Sequence, residues 1–111
     1  MPVLKATDVR PQAFREGATR THLHTNDLMV VVIDFLNGPW AEADPFHHHV
    51  HEQITYVASG EILFMCEGEE NKTLRAGDMF AVPSGRPHTI KLLSGKARLI
   101  DSFSPVREDF L

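Results

Sequence analysis

Four of the five positions from 47 to 51 are histidine, in the run Phe46-His47-His48-His49-Val50-His51-Glu52-Gln53, and an apolar stretch closed by Ser59-Gly60 follows. No other part of the chain constrains the fold as tightly. Histidine is the commonest side chain for holding a transition metal. Strand side chains alternate faces, so His47, His49, His51 and Gln53 would share one face of a straight segment. From His47 to Gln53 an extended chain covers roughly 20 Å, whereas ligand atoms sit only about 2 Å from an ion. A single metal therefore requires the chain to turn after His49, through Val50-His51-Glu52, and to bring Gln53 back on the next strand. His47 and His49 then point together, and Gln53 meets them from the neighbouring strand. His48 falls on the opposite face, and His51 falls in the turn.

The rest of the chain reads as short strands cut by Gly, Pro, Asn and Asp. Residues 1–18 form an extended arm with one short strand, and residues 28–104 form a barrel core. Thr19–Thr25 alternates weakly, with Arg20, His22 and His24 on one side; the two histidines read as ordinary strand residues or pocket lining. Leu28–Leu36 is apolar on both faces, as is Glu61–Glu67, so both are expected to be covered on both faces. A second sheet or a second subunit must supply that cover, which argues for a homodimer. Gln53–Ala58, Met79–Val82, Pro87–Leu93 and Lys96–Ser104 complete the strands. No helical period is sustained, so the fold class is an all-β sandwich or barrel in one domain of 111 residues.

Charge narrows the partners. A formal net charge of −4 without a basic run argues against nucleic acid. No apolar segment is long enough to span a membrane, and Met1-Pro2-Val3-Leu4-Lys5 lacks a secretory apolar core. The single cysteine, Cys66, fits a reducing compartment, so a cytoplasmic protein is expected.

Downstream, Gly77-Asp78-Met79-Phe80-Ala81-Val82-Pro83-Ser84-Gly85-Arg86-Pro87-His88 sets a glycine, five intervening residues, a proline and a histidine soon after. Together with H-x-H, three residues, Gln53, six residues and Gly60, it resembles the two motifs of the cupin family. The resemblance implies a jelly-roll β-barrel and a metal held by His47, His49, Gln53 and His88. His88 also shares a strand face with Ile90 and Leu92, so it should point inward. Three imidazoles and an amide are all neutral and leave the charge of a divalent ion uncompensated, as suits an anionic or enolic oxygen. One divalent transition metal is expected; zinc, nickel, iron and manganese all remain open.

Ala97, Leu99, Asp101 and Phe103 share one face of the last strand. Asp101 thus sits in an inward, apolar phase, where burial raises a carboxylate's pKa toward the range useful for proton transfer. A satisfied structural aspartate explains that placement equally well. By spacing alone Phe103 is core and Arg107 a solvated terminal charge. The ending Asp101-Ser102-Phe103-Ser104-Pro105-Val106-Arg107 resembles, more narrowly, that of the small pectin-degradation cupins, which convert 4,5-unsaturated monouronates from pectin and alginate into linear keto sugars. That resemblance implies an isomerase-type enzyme acting on a small anionic sugar. Asp101 would move the proton, Arg107 would hold the carboxylate, and Phe103 would shape the pocket. A non-catalytic sugar-binding cupin and a metal-dependent dioxygenase are the competing readings.

Overall fold

The computed structural model describes residues 3–111; Met1 and Pro2, at the head of the expected arm, lie outside them. Nine strands follow in chain order: β1 (Gln12–Arg15), β2 (Ala18–His24), β3 (Met29–Phe35), β4 (Glu52–Ser59), β5 (Glu61–Cys66), β6 (Lys72–Arg75), β7 (Met79–Val82), β8 (His88–Leu92) and β9 (Ala97–Ser104). Short 3-10 turns at Ala6–Asp8 and Glu108–Phe110 are the only helical elements among the described residues, and none is long enough to cross a membrane. The fold is all-β, as the turn spacing predicts.

A six-stranded sheet runs β1-β2-β3-β9-β4-β7, and a three-stranded sheet runs β6-β5-β8. Between them lies the core of Ala18, Phe35, Val57, Ile62, Phe80, Val82, Leu92, Ala97 and Leu99, drawn from both sheets. Phe64 and Phe80 stack across the gap with ring centroids 4.1 Å apart. β9 sits inside the large sheet, flanked by β3 and β4, so Asp101 is paired with Val31 on one side and Thr55 on the other. Its alternation is strict: Ala97, Leu99, Asp101 and Phe103 are all buried.

The histidine run departs from expectation in one respect. Residues 38–47 lie along the free edge of β8 rather than forming a strand, and His47 and His88 make an isolated bridge. The Trp40 N–H donates to the Leu92 carbonyl at 2.9 Å, and the backbones of His47 and His88 exchange bonds of 3.1 and 2.9 Å. Pro39 and Pro45 have no N–H to give, which keeps these contacts too sparse for a ladder. The turn itself falls at Val50 and His51, and β4 begins at Glu52.

The outer face of the large sheet is a second departure. Paired positions line up as Leu23, Val30, Ser102, Ile54 and Ala81 in one row, and as Thr21, Val32, Ile100, Tyr56 and Met79 in the next. Ile54 is 56% exposed and Met79 64%. Periodicity foresaw apolar residues on both faces of β3, but within one chain only the Met29, Val31 and Phe35 face is buried.

Gly60 joins β4 to β5 at φ 83°, and a Cβ there would lie 2.4 Å from the Lys96 carbonyl oxygen. Left-handed strain and backbone overlap add, so Gly60→Ala is expected to cost about 2–5 kcal/mol of stability. Denaturant titration reads this directly, and a loss below about 0.5 kcal/mol would contradict the account.

Candidate functional site

Three histidines converge where the edge segment, the turn and β8 meet. One ring nitrogen from each of His47, His49 and His88 lies within 4.8 Å of the other two. His47 and His88 have ring centroids 4.3 Å apart, and His49 and His88 5.0 Å. Burial is the main cause that holds all three imidazoles below the usual histidine pKa, and neighbouring positive charge from Arg107 adds to it. At neutral pH they are therefore uncharged, the form that binds a metal.

Hydrogen bonds then fix which nitrogen is free. A carbonyl oxygen can only accept, so His49 Nδ1–H donates to the His51 carbonyl and His88 Nδ1–H to the Arg86 carbonyl, each at 2.9 Å. Both rings thus present Nε2 as a bare lone pair. That of His88 is buried without any partner. That of His49 faces Gln53 Oε1 at 3.1 Å. The Gln53 amide is oriented by its own donor, which gives its proton to Thr55 Oγ1 at 2.9 Å. Two acceptors facing each other, beside an orphaned third, repel unless a cation lies among them. The residues fit a metal ion, and the backbone carbonyls of His51 and Arg86 orient the His49 and His88 rings as metal-binding histidines require.

Thr55 links this group to Asp101, donating its hydroxyl proton to Asp101 Oδ1. Asp101 is fully buried, and desolvation raises its pKa to about 6 against the opposing effects of Thr55 and Arg107. The ionised form is the one the fold disfavours. Stability from this group is present below the unfolded pKa near 3.8 and is lost as pH rises through about 6. In chelator-treated protein, Asp101→Asn should therefore gain stability over the parent between pH 4 and pH 8, by up to about 3 kcal/mol. A gap that stays constant with pH would contradict a titrating, buried Asp101.

A cavity of about 310 Å³ opens beside these groups, lined by His47, Gln53, His88, Asp101, Phe103 and Arg107 among others. That volume is at the small end of ligand pockets and suits one sugar ring rather than a chain. Phe103 is buried and meets His49 edge-on at 5.8 Å. Arg107 does not point to solvent as spacing alone suggests: its guanidinium lies 5.2 Å from the Phe103 ring centroid and 4.1 Å from that of Phe110. It is paired with Asp109 at 2.8 Å.

All the residues singled out in sequence for ligand or proton-transfer roles thus meet at one end of the sandwich. His51 is outside the group whose donor atoms converge, although its ring lies 5.5 Å from that of His49. His48 is exposed, and His22 and His24 sit on β2 with rings 6.2 Å apart, outside the cavity lining. Sequence reasoning missed Thr55, although it shares the Gln53 and Val57 face. It also missed Phe14 and Phe110, which line the cavity from the two chain ends.

Comparison with known proteins agrees with this fold. A model of the cupin domain matches residues 38–103. The pectin degradation protein KdgF of Dickeya dadantii (strain 3937) is 39% identical over 87 residues, which cover 78% of this chain and 76% of that protein. The structure of KdgF from a Halomonas species superposes with a TM-score of 0.86 at 34% identity, covering 96% of this chain and 97% of its own. An RmlC-like cupin from Shewanella frigidimarina NCIMB 400 superposes equally well, with a TM-score of 0.86, 36% identity and coverages of 97% and 94%.

Proposed function

This chain belongs to the cupin family, and on that premise we propose that it is a metal-dependent, isomerase-type enzyme of pectin breakdown that converts 4,5-unsaturated monouronates into linear keto sugars. The observation that carries the reading is the buried line from His49 through Gln53 and Thr55 to Asp101, which ties a protonatable carboxylate to the metal-binding donors beside one small cavity. Similarity to a pectin degradation protein over most of both chains supports the substrate class.

His47, His49, Gln53 and His88 would hold the ion, and zinc, nickel, iron and manganese all suit such donors. When bound, it supplies Lewis acidity to the uronate carboxylate and the adjacent oxygen. The reaction needs no oxidant. Opening the ring at the anomeric carbon breaks its bond to the ring oxygen; the anomeric hydroxyl gives up its proton to become an aldehyde, and the released ring oxygen gains one to become an enol. That enol becomes a ketone when its oxygen loses a proton and the vinyl carbon gains one. Asp101 accepts the first proton and returns one to carbon, ending as it began. Arg107 holds the carboxylate, and Phe103 packs against the sugar.

Run in heavy water, the reaction should place one deuterium on a single face of the former vinyl carbon, read by NMR, without oxygen uptake. Oxygen consumption with an oxidised product would favour the dioxygenase reading, and unchanged sugar a passive binder.

The same reading includes a cytoplasmic homodimer, supported by the lone, buried Cys66 and by the apolar outer rows around Ile54 and Met79. Light scattering should give twice the 12.5 kDa chain mass; a monomer at micromolar concentration would contradict it.

A further inference from the structure

One cation in the cavity has no part in the chemistry above. Arg20 sits on β2 opposite Ile33, lines the cavity with Asp101 and Arg107, and is flanked by aromatic rings. Its guanidinium carbon lies 4.0 Å from the Phe110 ring centroid and 5.0 Å from that of Phe14. Its Nε is buried and has no hydrogen-bond partner.

The other arginines of the cavity are already met by carboxylates. Arg15 pairs with Asp44, and Arg107 pairs with Asp109. Among the described residues Arg20 has no acidic partner. Arg107 is thus already shared with Asp109, whereas Arg20 offers an incoming anion a cation with no carboxylate partner. Aromatic packing against a guanidinium restricts its plane and leaves the N–H fork for bonds within that plane. A half-buried cation with an orphaned donor is costly until an anion satisfies it.

We propose that Arg20 binds the carboxylate of the unsaturated monouronate, forming with Arg107 a clamp in which Arg20 supplies the uncompensated charge. This rests on the ketonisation reading and extends it, since it makes Arg20 the residue that selects acidic over neutral sugars. A neutral sugar would leave the fork unsatisfied, and replacing the residue should relax that preference.

The test compares wild type, Arg20→Met and Arg20→Lys on the unsaturated monouronate and on its methyl ester, with metal content measured for each. Methionine keeps apolar bulk between the rings and removes the charge. Loss of a charge-assisted pair predicts a rise in KM on the acid of about 10–100-fold, borne by KM rather than kcat. On the ester, Arg20→Met and wild type should have similar KM, and Arg20→Lys should recover part of the preference for the acid. An equal effect on acid and ester, or an unchanged KM on the acid, would overturn the proposal. If Arg20→Met does not fold, Arg20→Gln provides the neutral variant. If wild type converts neither compound, the ketonisation reading fails on its own. Calorimetry with galacturonate and its methyl ester then decides the role of Arg20: loss of acid binding alone in the neutral variant supports it, and equal binding overturns it.

Discussion

Replacing Asp101 by asparagine is expected to lower turnover of unsaturated monouronate by about two to four orders of magnitude, the usual worth of a positioned acid–base group. Bound metal should be unchanged. Asparagine is the informative substitution because its side-chain oxygen can still accept the Thr55 hydroxyl that Asp101 accepts now. Thr55 then keeps its place under the Gln53 amide, and the donor set is undisturbed. Alanine would instead strand a buried hydroxyl at a cost of about 1–3 kcal/mol, mixing a structural loss into the kinetic one. The cause expected for the loss is chemical: an amide cannot carry a proton to and from the substrate. Kinetics paired with metal analysis checks this. Turnover within about threefold of the parent would remove Asp101 from the mechanism.

Stripping the metal is expected to have an effect as large. A chelator should abolish turnover, and a stoichiometric divalent ion should restore it. Stability should follow, because the metal-free site leaves the His88 Nε2 lone pair buried without a partner and sets His49 Nε2 against Gln53 Oε1. An ion bound at a hundredfold over its dissociation constant stabilises the fold by about 2.7 kcal/mol. For a domain of this size that raises Tm by roughly 10–20 °C. The three imidazoles are already neutral near pH 7, so protons should compete with the metal only in more acidic solution. Full turnover in protein shown to be metal-free would contradict this account of the site.

The parts of this molecule legible in sequence are those set by short-range pattern. Strict alternation on β9 placed Asp101 and Phe103 inward, and the structure buries both. The span Leu28–Leu36 differs from β3 by one residue at each end, since apolar alternation marks a strand more sharply than its ends. Ligand spacing with a forced turn is enough to bring His47, His49 and Gln53 together. Groups that depend on contacts far apart in sequence were not legible. Arg20 and Phe110 come from opposite ends of the chain, and no local period links them. Arg107 looked solvated because nothing near it in sequence reveals that the last turn folds back over Phe103. Nor could periodicity tell an apolar face covered within the chain from one left open, as the rows around Ile54 show.

The most direct test of the central claim uses monouronate from an exhaustive lyase digest and follows loss of its double-bond absorbance in the ultraviolet. With metal-loaded protein the absorbance should fall much faster than in the spontaneous reaction, and a chelator should return it to the spontaneous rate. No acceleration by protein with its metal confirmed bound would contradict ketonisation and leave a cupin that acts on, or merely holds, another ligand.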